Sequence, residues 1–206
     1  MHHESQCGAE QTAEHREIDP SRSVLRFIMS AVLALVYAAY TIADAHAYQA
    51  LEEARFEDVK VTGSDEPLHV AQGDVIGEME VPRLGLKTII AQGDSPRILR
   101  RAVGHIVETA LPGNQGNVTL AGHRDSFFRP LRNIRRGDTI TLKTLDGDFQ
   151  YQVEFTTIVR PSDTQVLQPS SGERTLTLIT CFPFYYVGSA PNRFVVRARQ
   201  VTSSAE

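Results

Sequence analysis

The chain has 206 residues, of which 41% are apolar and 22% are charged, a composition typical of a globular protein with room for one ordinary domain and attached segments. Its formal net charge is -4, and the acidic excess lies in the first third of the chain, so that the rest is mildly basic. Because that part also lacks a stripe of aromatic and basic residues, we predict that nucleic acid is not a partner.

The first predicted element is a membrane-spanning helix over residues 24–43. A helix of this length rises about 30 Å, the thickness of the hydrocarbon core of a bilayer. The run "VLRFIMSAVLALVYAAYTIA" contains one charged residue, Arg26, whose guanidinium can extend to the headgroups. A cleaved signal peptide is the alternative, because Ala45 and Ala47 provide the small residues that signal peptidase accepts.

The expected topology follows from the same run. Basic residues before and within it outnumber those soon after it, which favours a cytoplasmic tail over residues 1–23. We therefore expect a single-pass protein of the cell membrane whose folded domain lies outside the cytoplasm. Cys7 and Cys181 then lie on opposite sides of the membrane, so Cys181 has no partner for a disulfide.

Residues 44–71 are predicted to form an acidic stalk, because helix formers give way to a stretch rich in Gly, Ser, Asp and Pro, as in linkers. A β domain follows over residues 72–202, where seven or eight short apolar or alternating runs are separated by turn residues. This pattern indicates an all-β fold, either a small barrel or a sandwich. Asp146 and Gly147 predict a tight hairpin turn. The helical candidates here are "SPRILRRAV" and "DSFFRPLRNI", and residues 203–206 are a C-terminal tail.

Two of these runs bring a cysteine beside an arginine if they pair. Side chains alternate across a strand, so in "RTLTLITC" Leu176 and Leu178 face the core and Cys181 faces away from it. In "RFVVRARQV" the same alternation turns Arg193 away from the core. If the strands pair antiparallel through "FPFYYVGSAPN", Cys181 and Arg193 become neighbours, and the aromatic loop between them can wall a groove.

A histidine would complete the chemistry of this pair. The reactive form of a thiol is the thiolate, which a nearby imidazole or guanidinium stabilises. Past the stalk, the candidates are His105 and His123. His123 ends a strand and opens a polar turn, where a scaffold commonly positions catalytic residues. His105 lies within an apolar run, so we interpret it as a packed or loop histidine.

The segments "TLAGHRDSFFRPL" and "TLTLITCFPFYYVGSAPNRFVV" together resemble the sortase family, in which a histidine after one strand, a Thr-Cys strand end and a downstream arginine form the active site. The similarity covers roughly residues 73–201. Within this family the chain resembles the class D sortases most, through the segment "TALPGNQGN" and the loop after Cys181. One difference is Ile179, which stands where many relatives have a threonine. The fold that this resemblance implies is all-β, a closed eight-stranded barrel with short helices.

The resemblance also implies a reaction, the cleavage of an LPXTG-like sorting signal through a thioacyl-enzyme intermediate and transfer of the protein to an amine acceptor, either a cell-wall or a pilin-like nucleophile. In this reaction Cys181 is the nucleophile, His123 the general acid and base, and Arg193 the group that stabilises the substrate and the oxyanion. Thr180 and Asp125 are candidate supporting residues. Asp125 either orients the imidazole or caps the following turn. No cofactor and no metal are expected.

Two other interpretations stay open from the sequence. One is a membrane-tethered, non-catalytic β module that binds a peptide or a cell-wall polymer. The other is a metal site formed by Cys181, His105 and His123, although the local ligand pairing typical of such sites is missing. The L,D-transpeptidases, another type of cysteine transpeptidase, would need a glycine-histidine setting around the cysteine that this sequence lacks. The enzyme interpretation is favoured by three observations together. Two segments resemble the sortase family, the side chains of Cys181 and Arg193 are predicted to face outward, and the domain is expected outside the cytoplasm.

Overall fold

The computed structural model describes residues 20–62, 70–168, 172–186 and 188–201. The chain divides into two compact units, Met1–Ile42 and Ala43–Glu206. Helix α1 (Pro20–Thr62) begins in the first unit, where the side chains from Val24 to Tyr40 are all exposed. A helix that is apolar on every face suits a bilayer rather than water, and α1 is long and apolar enough to cross a membrane.

The second unit contains a closed barrel of eight strands. The strands are β1 (Val75–Val81), β2 (Leu86–Gln92), β3 (Val103–His105), β4 (Gly116–Ala121), β5 (Thr139–Thr144), β6 (Gly147–Val159), β7 (Arg174–Phe182) and β8 (Asn192–Gln200). Their order around the barrel is β1-β2-β3-β4-β7-β8-β6-β5, so β4, β7 and β8 are adjacent. The predicted all-β fold is confirmed as a barrel, and the sandwich alternative is wrong.

Short helical turns connect the strands. They are α2 (Pro96–Leu99) and the 3₁₀ turns Pro82–Leu84, Arg129–Asn133 and Thr164–Leu167. α2 and the second of these turns coincide with the helical candidates of the sequence. The predicted hairpin joins β5 to β6, but its turn is formed by Leu145 and Asp146, one residue earlier than predicted, since Thr144 pairs with Gly147. Gly147 has φ +135°, a conformation that glycine adopts readily.

Alternate residues of the strands fill the interior of the barrel. Leu176 and Leu178 of β7 are completely buried, as are Val196 and Ala198 of β8. The inward face predicted for both strands is therefore confirmed. Burial of each such leucine contributes about 1.5–3 kcal/mol, so these positions fix which face of β7 points inward. The other face of β7 carries Cys181.

The second half of α1 lies against the outside of the barrel. The side-chain amide of Gln49 accepts a hydrogen bond from the backbone N–H of Ile89 in β2 at 2.9 Å and donates one to the carbonyl of Arg101 at 2.6 Å. Phe56, two turns further along the helix, is buried. The helical part of the predicted stalk thus packs on the barrel.

The proposed boundaries between tail, span, stalk and barrel stay predictions. The predicted cytoplasmic tail as far as residue 19, the end of the predicted stalk over residues 63–69 and the predicted C-terminal tail lie outside the described residues.

Candidate active site

Cys181 and Arg193 lie directly opposite each other on neighbouring strands. β7 and β8 pair antiparallel, and the register of their backbones matches Cys181 with Arg193. Both side chains are partly exposed on the outer face of the barrel. The predicted pairing of the two strands is therefore confirmed, and it makes Cys181 and Arg193 cross-strand neighbours.

The guanidinium of Arg193 is held by backbone carbonyls just before β8 and at its first residue. Its Nη1 donates to the carbonyls of Ala190 at 3.3 Å and Asn192 at 3.0 Å. A guanidinium has five N–H donors in a fixed plane. In the part of the chain that the structure describes, these contacts use Nη1, which leaves other N–H groups of the guanidinium to bind a substrate carbonyl.

His123 follows β4, the other neighbour of β7. β4 and β7 run parallel with Ala121 opposite Ile179, and the N–H of Gly122 donates to the carbonyl of Ile179 at 3.2 Å. His123 and Cys181 each lie two residues beyond this matched pair, so they reach the same end of adjacent strands. The side chain of His123 is exposed. The structure thus brings the three predicted site residues onto β8, β7 and the end of β4, with Cys181 in the middle.

Thr180 connects the cysteine strand to the histidine loop. Its side chain is 2% exposed, and its hydroxyl donates to the carbonyl of Gly122 at 2.7 Å. Gly122 immediately precedes His123, so this bond fixes the backbone of His123 relative to Cys181. A supporting role for Thr180 therefore has a structural basis in this contact.

Asp125 makes a different contact from either of the two that the sequence suggests. Its side chain is 75% exposed and lies 3.4 Å from Nε of Arg124. Within the described part of the chain, no hydrogen bond joins the Asp125 carboxylate to His123 or to the backbone of the following turn. Orientation of the imidazole by Asp125 stays a prediction without a contact to support it.

Arg124 is a residue of the site that the sequence interpretation missed. Although charged, it is 7% exposed, and its guanidinium donates to backbone carbonyls of the loop between β7 and β8: Pro183 at 2.8 Å, Tyr186, and Gly188 at 3.2 Å. It also lies 5.9 Å from the centre of the Tyr186 ring. Arg124 therefore ties the segment after His123 to the segment after Cys181. The position of an arginine directly after the candidate histidine was the available signal.

We expect Arg124→Met to loosen this loop and to lower turnover by up to about 10²-fold, since a displacement of about 1 Å in reacting groups can cost that much. The matched control is Arg129→Met, which removes an exposed arginine from the next turn. Hydrogen exchange of residues 183–186 and turnover of a cleaved peptide measure the two effects. Unchanged exchange and unchanged turnover in Arg124→Met would exclude a positioning role.

Three aromatic side chains pack together where β7 leads to β8. The rings of Phe182, Phe184 and Phe194 pack against one another with centroids 5.2–6.4 Å apart. Tyr185 is 78% exposed and lies 5.6 Å from the guanidinium carbon of Arg132. Because Phe184 and Phe194 pack against the buried core, the aromatic wall predicted beside Cys181 stays a prediction.

His105 is a packed histidine, as predicted. It ends β3, is completely buried, and its ring nitrogens lie 2.8 Å from the side-chain oxygen of Gln92 and 2.9 Å from the carbonyl of Ala110. Burial lowers the pKa of His105, although the Ala110 carbonyl opposes this shift. His105 is therefore a structural histidine of the barrel wall, with both ring nitrogens occupied by neighbouring groups.

Comparisons with known proteins match this arrangement. A family model described as "Sortase domain" matches residues 79–201. The chain is 34% identical to "Sortase D" of Bacillus subtilis over 130 residues, which are 63% of this chain and 66% of that protein. It is 32% identical to "Sortase SrtE1" of Streptomyces coelicolor over 179 residues, which are 76% of this chain and 51% of the relative. The matched segments thus span between about half and two thirds of these curated relatives.

Solved structures give the same result for the fold. A sortase D5 transpeptidase of Clostridium perfringens matches with a TM-score of 0.64 and 29% identity, over 78% of this chain and 99% of that chain. Sortase C of Clostridium perfringens SM101 matches with a TM-score of 0.60 and 26% identity, over 80% of this chain and 89% of the other.

Proposed function

Since the chain belongs to the sortase family, we propose that it is a membrane-anchored cysteine transpeptidase that cleaves an LPXTG-like sorting signal and transfers the protein to an amine. The observation that supports this proposal best is the order of the site: Cys181 lies between Arg193 on one neighbouring strand and the segment carrying His123 on the other. Such an order gives one substrate carbonyl access to a nucleophile, a cation and a proton donor.

In the first step the thiolate of Cys181 attacks the scissile carbonyl and forms a tetrahedral oxyanion. The guanidinium of Arg193 stabilises a charge that develops only at this stage, which is how a fixed donor accelerates the chemical step. His123 protonates the leaving amine as the C–N bond breaks, and the acyl group stays on Cys181 as a thioester.

In the second step the acceptor amine attacks the thioester. His123 takes the proton from the incoming nitrogen, and Cys181 leaves as a thiolate. The new amide bond joins the sorted protein to the acceptor, which we propose to be a cell-wall or pilin-like amine.

Arg193→Lys should recover little of the turnover that Arg193→Ala loses. We expect each variant to lose on the order of 10² to 10³ in turnover, because lysine keeps the charge but lacks the planar fork that can present two N–H groups to one oxygen. The measurement is rate against salt concentration, with folding checked by circular dichroism. Near-wild-type turnover of the lysine variant, with a strong salt effect on the wild type, would assign Arg193 to long-range attraction of the peptide instead.

The proposed activity is tested with the purified full chain, a library of quenched LPXTG-like peptides and an added amine. Cleavage together with a ligated peptide-amine product, detected by mass spectrometry, supports transpeptidation. Binding of these peptides without either product would support the non-catalytic β module.

We further propose that the apolar half of α1 anchors the protein and that the barrel lies outside the cytoplasm. A tag at the C-terminus should then fractionate with membranes and be accessible to protease from outside. A soluble product that begins near Tyr48 would show that the segment is a cleaved signal peptide.

A further inference from the structure

A cluster of arginines lies beside the residue at which α1 leaves the predicted membrane span. Asp44 directly follows residues 24–43, and its carboxylate binds the guanidinium of Arg101 through two hydrogen bonds, of 2.7 and 2.8 Å. One turn later the Tyr48 ring lies 5.8 Å from the same guanidinium. The carbonyl of Arg101 also accepts the bond from Gln49. These contacts fasten the end of the α2 segment to the first turns of α1 beyond the span.

Arg97 and Arg100 of this segment are exposed, and they are three residues apart, a spacing that places side chains on one helical face. In the ranges that the structure describes, neither pairs with a carboxylate. Hydrogen bonds from Arg101, and to a smaller extent the charge of Arg100, lower the pKa of Asp44. The positive charge of Arg100 therefore lies close enough to influence Asp44, the residue that follows the predicted span.

The carboxylates near these arginines differ in how far they can neutralise the positive charge. Asp44 is neutralised by Arg101, and Asp74 accepts a hydrogen bond from the backbone N–H of Ala71 at 2.8 Å. Asp94 is exposed and opposes part of the positive charge. Beside these groups lies a cavity of about 460 Å³ lined by Tyr48, Asp74, Ser95, Arg97 and Arg101, among others. Of the two exposed arginines, Arg97 lines this cavity.

We propose that Arg97 and Arg100 bind the phosphate groups of anionic lipids and dock the α2 side of the barrel on the bilayer surface. This inference rests on the proposed membrane anchoring. A span that ends at residue 43 places Asp44 at the level of the headgroups, and the Asp44–Arg101 pair holds α2 at the same level. Arginines near an anionic surface each strengthen binding by about fivefold, and tyrosine is a common residue at this depth.

The test uses the full chain in nanodiscs of phosphatidylcholine alone and of phosphatidylcholine with phosphatidylglycerol. We expect the backbone amides of residues 97–101 to exchange at least about fivefold more slowly in the anionic discs. Arg97→Ala/Arg100→Ala should remove this difference. Arg135→Ala/Arg136→Ala, which removes two exposed arginines before β5, should keep it.

Equal exchange in the two lipids for the wild type, or a difference that persists without Arg97 and Arg100, would overturn the proposal. Free inorganic phosphate added to phosphatidylcholine discs should not slow exchange, and slowing by it would assign the site to a free anion. Failure of the docking is distinguishable from failure of the proposed function, because peptide cleavage and retention of the protein in the discs are measured on the same samples.

Discussion

Cys181→Ala should abolish peptide cleavage, with a loss of turnover on the order of 10⁶, as for removal of the nucleophile from another enzyme that forms a covalent acyl intermediate. The reason is that the proposed reaction passes through a thioester on Cys181, which alanine cannot form. Cys181 is half-buried, unpaired in the described structure and opposite Arg193, so its removal leaves the guanidinium in place without a nucleophile. Cleavage of a quenched sorting-signal peptide measures the loss.

Cys7→Ala is the matched control, since Cys7 is the other cysteine of the chain and precedes the predicted span. We expect its activity to equal that of the wild type. Activity of Cys181→Ala equal to that of the wild type would refute the enzyme interpretation, and loss of activity only in Cys7→Ala would move the essential thiol to the other side of the membrane.

His123→Ala should lower turnover by about 10²- to 10⁴-fold, the usual contribution of general acid-base catalysis. His123 is exposed two residues after β4, the strand next to that of Cys181, and we expect its imidazole to serve the leaving amine from there. The measurement compares turnover for His123→Ala, wild type and His105→Ala, with folding verified for each.

His105→Ala should act through stability instead. The buried ring is hydrogen-bonded on both sides, and its loss leaves polar partners unsatisfied at a cost of about 1–3 kcal/mol in the free energy of unfolding. Because the pKa of His105 is lowered in the folded protein, the unfolded chain binds a proton first, and the wild type loses stability as pH falls below 6.5. A greater loss of turnover in folded His105→Ala than in His123→Ala would reverse the two assignments.

Strand alternation and strand pairing explain why much of this site could be predicted from the sequence. The inward leucines of β7 determine which side Cys181 faces, and an antiparallel connection then places Arg193 opposite it. The pairing of β4 with β7 could not be derived in this way, because parallel neighbours come from distant segments of the chain. The proximity of His123 therefore depended on the family resemblance.

Arg124 and the second half of α1 make tertiary contacts that the local sequence pattern did not predict. An isolated arginine in a polar turn reads as a surface cation, and its burial depends on the carbonyls of a loop about sixty residues away. The sequence predicts an acidic stalk over residues 44–71, but Gln49 and Asp44 bind groups of the barrel that only the tertiary fold brings near. In both cases the partners are backbone or charged groups, and such contacts leave no periodic pattern in the sequence.

The most direct test of the thioacyl mechanism is to incubate the wild-type chain with an LPXTG-like peptide without added amine, quench in acid, and map the modified residue by mass spectrometry. We predict that the acyl fragment of the peptide is attached to Cys181 and is released by hydroxylamine. The mechanism would be contradicted if the wild-type chain cleaved the peptide while Cys181 stayed unmodified, and if Cys181→Ala cleaved it at the same rate.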